Sequence, residues 1–578
     1  MKLIEALEIL KRPAAEGQGL RIFLGCGFTP LHLQTFLAAQ LTTAALGRRM
    51  EVRNGLFGDL AGSIERLDPS GIDTLAVIIE WSDIDPRLGM RTLGGWRPSQ
   101  LDGILDSANL SVARLQHAVA GISHRVPTVV CLPTLPLPPM FSTPRIEEHA
   151  VEAQLRLTAA SLGASLSQQF SLRIVNAQLL DETSPLATRY DLKSDLASGF
   201  PYTLQHACAV AEVLTSLIHP REAKRGLITD LDDTLWAGIV GDDGVDGISW
   251  HLERHTQMHG IYQQILGSLA GAGVLLGVAS KNDSAVVERA FERSDLLLSK
   301  ADIFPFETNW SLKSESVGRI LKTWNVSADS VVFVDDSPME VAEVQAAFPA
   351  MECIVFPKDD SSGTLELFKR LRDLFGKPVV TEEDSLRLAS IRQSGAGREL
   401  GQSSPVTTED FLKAADAHIT FDFVRPTGDS RAFELVNKTN QFNLNGKRFS
   451  ESQWRTLLSD PESFLLTASY KDKYGALGKI AVLGGRLRAR MIHIDIWAMS
   501  CRAFSRRIEH QCLHYLFDTL AADEIVFAYE ATSRNSVLQE FLTGLLESQP
   551  LPGASLRKDQ FAARVPRLFH QVEGIARV

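Results

Sequence analysis

The run Leu227-Ile228-Thr229-Asp230-Leu231-Asp232-Asp233-Thr234 constrains this chain more than any other. A short apolar stretch, of the kind that forms a buried strand, stops at two aspartates one residue apart. Alternate residues of a strand share a face, so Asp230 and Asp232 are expected to converge just past its end. Two carboxylates brought together repel unless a hard cation stands between them. Mg²⁺ suits such a place, because it takes one or two carboxylates and keeps water and substrate phosphate as its other ligands. A carboxylate beside that cation can attack phosphorus and carry the phosphoryl group as an aspartyl-phosphate. The stretch therefore points to phosphoryl-transfer chemistry at the end of a buried strand.

At 578 residues the chain is too long for one core, and about three or four domains are expected. A net charge of −11 gives no general attraction to nucleic acid or anionic lipid, so neither is expected as a partner. The cysteines Cys26, Cys131, Cys208, Cys353, Cys501 and Cys512 form no CxxC pair, which argues against a zinc or disulfide framework and for a reducing compartment. Acidic residues interrupt the apolar positions of the N-terminus, as in an amphipathic helix rather than a secretory signal. No uncharged apolar run approaches a membrane span. A cytoplasmic protein is expected.

Strand and helix patterns divide the chain. Residues 1–220 alternate buried-strand candidates (Leu20–Leu24, Thr74–Ile79, Thr128–Leu132, Leu172–Val175) with helical stretches, which predicts an α/β unit with a parallel sheet. Residues 221–376 repeat the pattern, with strands at Gly226–Asp230, Leu275–Ala279, Val331–Val334 and Cys353–Phe356. Residues 377–405 read as a linker that ends in Gly- and Ser-rich sequence. Residues 406–578 differ, with strands at His418–Val424, Phe464–Ser469, Lys479–Leu483, Met491–Ala498 and Glu524–Tyr529 and helices at Arg431–Asn437 and Ser505–Leu520. That last pattern predicts an α+β unit with a mostly antiparallel sheet.

In open parallel sheets, ligands gather at the C-terminal edge of the strands. Ser280-Lys281-Asn282 ends one strand of the middle unit and offers a hydroxyl, an amine and an amide to phosphoryl oxygens. Lys313 precedes a helix and can act as a point cation. Asp335-Asp336-Ser337-Pro338 ends another strand with a second acidic pair. Each signal alone has a bland reading as a turn, a helix cap or a solvated surface group. Together and in this order they have no structural explanation.

The order Asp230-x-Asp232, Ser280, Lys313, Asp335-Asp336 resembles the haloacid dehalogenase (HAD) superfamily of phosphotransferases. The longer stretch Asp230-Leu-Asp-Asp-Thr-Leu-Trp236-Ala-Gly238-Ile-Val-Gly241-Asp-Asp243-Gly244 is similar to its FkbH-like subgroup, as is Phe433-Glu-Leu-Val-Asn437-Lys-Thr-Asn440-Gln441-Phe-Asn443-Leu444. The resemblance covers about residues 221–578 and implies a Rossmann-like HAD sheet in the middle unit. It also implies roles. Asp230 is the nucleophile and a metal ligand; Asp232 is general acid, then base, and a further metal ligand. Thr234, Ser280, Lys281 and Asn282 bind phosphate, Lys313 stabilises the aspartyl-phosphate, and Asp335 and Asp336 complete a Mg²⁺ site. Little chain follows Trp236 or Asn282 before the next element, so no lid domain is expected, and a large partner or another unit must exclude water.

The flanking units resemble, more weakly, an SGNH-hydrolase-like domain (1–220) and a GNAT-like acyltransferase fold (406–578). In the first, Gly25-Cys26-Gly27 ends a strand. Cys26 is a candidate acyl site, against the reading of a small buried residue at a turn. No Asp-x-x-His accompanies it, so esterase activity is not expected, and His206 reads as a surface or core histidine. Asp83, Asp85 and Arg87 form a charged loop without an assigned role. In the last unit, Asn440, Gln441, Asn443, Arg502, Arg506 and Arg507 are candidate contacts for coenzyme A or a carrier protein. Both glycines of the usual pyrophosphate loop are absent there, which hinders backbone approach.

The FkbH-like resemblance implies a glyceryl transferase and phosphatase. It would dephosphorylate a phosphorylated three-carbon acyl donor, 1,3-bisphosphoglycerate, and load the glyceryl group onto an acyl carrier protein, in polyketide or other natural-product assembly or in surface-polysaccharide biosynthesis. Relatives carry a Cys where this chain has Ala279, so an acyl-enzyme here needs another thiol. A plain phosphatase acting on a sugar- or carrier-linked phosphate, and a docking scaffold with weak activity, are the competing readings.

Overall fold

The structure, a computed structural model, describes every residue except 14, 46–47, 170, 378–379, 381–383, 385–390, 392–412, 414–415, 424–429, 440–441, 461, 474, 501–502, 504–505, 533–534 and 576–578. The chain groups into two compact units, Met1–Arg221 with Ser450–Arg455, and Glu222–Phe449 with Thr456–Val578. The fold is α/β, with two parallel sheets and one mixed sheet. The linker expected at 377–405 lies mostly outside the described residues.

The first unit is built on β1 (Ala15–Gly25), β2 (Arg48–Asn54), β3 (Thr74–Ile78), β4 (Thr128–Cys131) and β5 (Leu172–Ile174), in the order β2-β1-β3-β4-β5. Every pairing is parallel. Central strands of a parallel sheet are covered on both faces and read as continuous apolar runs. Here β3 and β4 are buried at every residue. Leu31–Ala44 and Leu204–Ile218 share one core with Ile22 and Leu24, whereas Leu101–Ser123 and Ala150–Leu166 share another with Leu75 and Val77. The sequence pattern missed β2. It is an edge strand of the composition Arg-Arg-Met-Glu-Val-Arg-Asn, paired on one side and too polar to show as an apolar run.

The second unit holds two sheets. The first contains β6 (Gly226–Thr229), β7 (Leu275–Ser280), β8 (Ile303–Thr308), β9 (Val331–Asp335) and β10 (Glu352–Val355), all parallel, in the order β10-β9-β6-β7-β8. Gly226 and Gly277 make room for Trp324, whose ring would stand 2.6 Å and 2.9 Å from a Cβ added at these positions. β8 was also missed, for the same edge-strand reason, and because Pro305 interrupts it. Between Asp230 and the helix Gln257–Gly271 there are only one short helix, Val240–Asp243, a turn of 3-10 helix, and two isolated bridges, Asp232 to Trp236 and Ala237 to Ser249. No named strand lies in that stretch.

The other sheet has seven strands: β11 (His418–Phe423), β12 (Ser463–Asp472), β13 (Gly475–Arg488), β14 (Met491–Met499), β15 (Glu524–Phe527), β16 (Ser555–Arg557) and β17 (Gln571–Ile575). Strands β11 to β14 pair antiparallel, while β14–β15 and β11–β17 are parallel. The α+β expectation holds, with two additional edge strands, β16 and β17. Among the described residues no helix is long and apolar enough to cross a membrane.

Candidate active site

The order β10-β9-β6-β7-β8 reverses direction between β6 and β9, so a crevice opens at their C-terminal ends. Asp230 follows β6, and Asp335 closes β9. Their backbones are joined by the Asp230 N–H donating to the Val334 carbonyl at 2.9 Å. Lys313 opens the helix Lys313–Trp324, reached from the end of β8 through Asn309–Leu312. Its Nζ is 2.9 Å from Asp230 Oδ2 and also donates to Asp335 Oδ2. All three side chains are buried.

Burial raises the Asp230 carboxyl above its ordinary value; Lys313 opposes the shift and Asp335 adds to it. Burial also raises Asp335, again against Lys313. For Lys313 burial works against the charge, but the two carboxylates outweigh it and hold the ammonium above its ordinary value. The trio is thus a desolvated cluster with one more negative group than positive.

Asp230, Asp335 and Asp336 each offer a carboxylate oxygen, and these three atoms lie within 4.8 Å of one another. Asp230 Oδ1 is buried with no hydrogen-bond partner. A buried carboxylate oxygen without a donor is costly unless a cation completes it. Three hard oxygen ligands this close together fit Mg²⁺ chemistry, in which substrate and water take the other positions.

Asp232 takes a different place from the one expected. β6 ends at Thr229, so the two-residue alternation of a strand does not extend to Asp232. Its Oδ1 accepts from Trp236 Nε1 at 2.9 Å and from the Val240 N–H at 3.1 Å, and its Oδ2 from Asn282 Nδ2 at 2.9 Å. The Asp232 side chain is therefore not in the carboxylate cluster that could hold a metal. It lies beside the crevice, partly exposed.

The predicted phosphate contacts divide in the same way. Ser280 helps to hold the Asp230 carboxyl down and accepts from Asn282 Nδ2 at 3.1 Å, so both border the nucleophile candidate. Thr234 is fully buried and its Oγ1 accepts the Asp336 N–H at 3.0 Å, which orients the acidic pair rather than facing a substrate. Lys281 turns to Glu340, at 2.7 Å, on the helix Pro338–Ala347. One group had no counterpart in the motif pattern: Lys358, beyond β10, bridges Asp233 and Asp336. A lone lysine in a Lys-Asp-Asp turn carries no sequence signal for this.

The other candidates do not join this site. In the first unit Cys26 is buried, its Sγ directed at the Phe28 carbonyl at 3.2 Å. Burial, then Asp83, pushes its thiol well above the ordinary range, so it is held as the unreactive thiol. A cavity of about 390 Å³, lined in part by Trp81, Asp83, Leu135 and Tyr190, opens between β1 and β3, the switch point of that sheet. Burial raises Asp83 to about 7. Asp85 and Arg87 form an ion pair at 2.7 Å. His206 belongs to the core, between Thr134 Oγ1 at 2.9 Å and Ser184 Oγ at 3.0 Å.

In the last sheet's region, Asn440, Gln441 and Arg502 lie outside the described residues. Asn443 is buried and spends its side chain on turn backbone, accepting the Gly446 N–H at 2.8 Å and donating to the Thr439 carbonyl at 3.2 Å. Arg506 stacks over Tyr470 near Asp472, and Arg507 donates to the Arg567 carbonyl at 2.7 Å. Structural work accounts for these contacts.

No protein-family model matches the sequence, and no curated protein is significantly similar to it. Among solved structures, the N-terminal part of BF1531 from Bacteroides fragilis, which contains a phosphatase domain complexed with Mg, matches 66% of this chain and 100% of its own, with 20% identity and a TM-score of 0.51. At that identity the likeness shows a shared fold. A Parabacteroides merdae protein assigned as a GDSL-like lipase matches 36% of this chain and 98% of its own at 15% identity, with a TM-score of 0.23. The salicylyl-acyltransferase SsfX3 of a tetracycline biosynthetic pathway matches 35% of this chain and 54% of its own at 12% identity, with a TM-score of 0.21. These last two likenesses are too weak to carry an argument.

Proposed function

We propose that the protein is a Mg²⁺-dependent phosphohydrolase of the HAD type, with Asp230 as nucleophile. The observation that carries this reading is Asp230 itself: a buried carboxylate at the sheet's switch point, one oxygen on Lys313 and the other without a partner, beside Asp335 and Asp336. The fold shared with BF1531, a protein complexed with Mg, supports it. Asp230, Asp335 and Asp336 would hold the cation. When bound, the cation neutralises phosphoryl charge and polarises the P–O bonds.

Asp230 attacks phosphorus while Lys313 offsets the growing charge. The bond from phosphorus to the leaving oxygen breaks, and that oxygen takes a proton from Asp232. Water then attacks the aspartyl-phosphate, giving a proton back to Asp232 as the Asp230–phosphorus bond breaks and phosphate departs. Ser280 and Asn282 orient Asp230 and Asp232. The test is phosphate release from a generic aryl phosphate with Mg²⁺. Asp230→Asn and chelation are each expected to abolish it, and release that survives either one refutes the reading.

We further infer that the physiological donor is a phosphorylated three-carbon acyl compound and that an acyl carrier protein accepts its glyceryl group, on the combined support of the Asp230 and Asn437–Leu444 motifs. Ala279 is buried within β7, and Cys26 is held as a thiol, so neither supplies an acyl-enzyme. We take the accepting thiol to be the carrier's own: its sulfur attacks the acyl carbon of the acyl phosphate, the carbon–oxygen bond to that phosphate breaks, the thiol proton leaves with the departing phosphate, and Asp230 acts on the remaining phosphate ester. Incubation with 1,3-bisphosphoglycerate and holo carrier, followed by intact mass measurement, tests this; an unchanged carrier mass rules it out.

A further inference from the structure

Lys358 lies just beyond β10, in the turn Phe356–Asp360, outside the motif pattern. The Phe356 N–H donates to the Asp335 carbonyl at 2.8 Å, which clamps this turn beside the acidic pair. From there Lys358 Nζ donates to Asp336 Oδ2 at 2.9 Å and to Asp233 Oδ2 at 2.7 Å. Asp233 reaches it from the opposite side, in a left-handed conformation (φ 50°), with its carboxylate also accepting the Gly238 N–H at 2.9 Å. One ammonium thus ties the loop after β6 to the loop after β9. A lysine ammonium that donates to two carboxylates carries its charge at neutral pH.

Two effects of that charge oppose each other. As a tie, Lys358 fixes the Asp336 side chain and favours cation binding. As a cation, it repels any dication that Asp336 holds. The Lys358 side chain is 38% exposed, and a pair so exposed changes an equilibrium by about fivefold at most. Repulsion between a unit charge and a dication a few ångström apart is twice that of two unit charges, and exceeds tenfold even at an effective dielectric of about 20 to 40. The repulsion outweighs the tie.

We propose that Lys358 is a positioning residue that competes with the divalent cation for Asp336. It satisfies the carboxylate before the cation binds and keeps cation affinity low, so that the ion exchanges readily. The proposal rests on the reading of Asp230, Asp335 and Asp336 as cation ligands.

The test is calorimetric titration of the full-length protein with Mg²⁺ alone. Lys358→Met is expected to lower the Kd by about tenfold or more, whereas Lys358→Arg stays within about threefold of wild type. Lys358→Gln serves if the Met variant does not fold. Binding by the uncharged variant that is unchanged or weaker overturns the proposal, because loss of a purely structural tie cannot tighten binding. A wild-type protein that binds Mg²⁺ and shows this tightening, yet releases no phosphate, instead contradicts the phosphohydrolase reading and leaves the role of Lys358 standing.

Discussion

Replacing Lys313 by Met gives the sharpest test of the site's energetics. The ammonium serves two carboxylates at once, Asp230 at 2.9 Å and Asp335, and all three side chains are less than a tenth exposed. Met keeps the length of the stem and removes only the charge. The two carboxylates then face each other in a low-dielectric crevice without a counterion. Removing one partner of a buried pair costs about 3–5 kcal/mol, and the upper end is expected here because two acids lose the same cation.

The deficit depends on pH with a definite sign. Asp230 and Asp335 are already raised by burial, and loss of Lys313 raises them further. A group whose folded value lies above its unfolded one stabilises at low pH and loses that contribution as the pH rises. The deficit of the metal-free variant should therefore grow from about pH 5 to about pH 8. Mg²⁺ restores countercharge and should recover part of it by linkage. Urea unfolding followed by tryptophan fluorescence reads the effect, since Trp236 and Trp324 are fully buried against this sheet. A deficit below about 1 kcal/mol, or one that is the same at both pH values, refutes the reasoning.

Other outcomes follow from single contacts. Thr234→Val keeps the volume but removes the acceptor of the Asp336 N–H; a loss of about 1–3 kcal/mol and weaker Mg²⁺ binding are expected in urea and metal titrations. Cys26 should resist iodoacetamide in the native protein near neutral pH and react in urea, which peptide mass mapping would read. Burial, with a smaller contribution from Arg189, lowers His206 to about 3, so its stabilising contribution is present above its unfolded value and falls away with acidification from about pH 6.5, by about 1.4 kcal/mol per pH unit. Glu80 and Asp83, raised by burial, change in the opposite direction, so the comparison is wild type against His206→Gln: the variant should lose less stability between about pH 6.5 and about pH 5.

Much of the candidate site could be read along the chain, because each part is a strand end, a feature written in a few consecutive residues. Leu227–Asp230, Leu275–Ser280 and Val331–Asp335 are apolar runs that stop at a polar group, and in a parallel sheet all such stops fall on one edge. The edge strands β2 and β8 escaped detection because a strand paired on one side needs no continuous apolar sequence. Strand alternation also overreached at Asp232, since the chain leaves the strand before that residue and the turn around Asp233 redirects its carboxylate to Trp236, Val240 and Asn282.

By itself, then, the sequence determined the parallel α/β architecture and the residue types at the crevice. Tertiary structure alone decided which carboxylates share a point in space. It joined Thr234 to Asp336, aimed Lys313 at two acids more than twenty residues distant on either side, turned Lys281 away to Glu340 and brought Lys358 across the sheet to Asp233 and Asp336. The physical reason is range. A strand end is specified by the hydrophobicity of its own few residues, whereas the partner of a charge is whichever group the packing of distant segments leaves within reach.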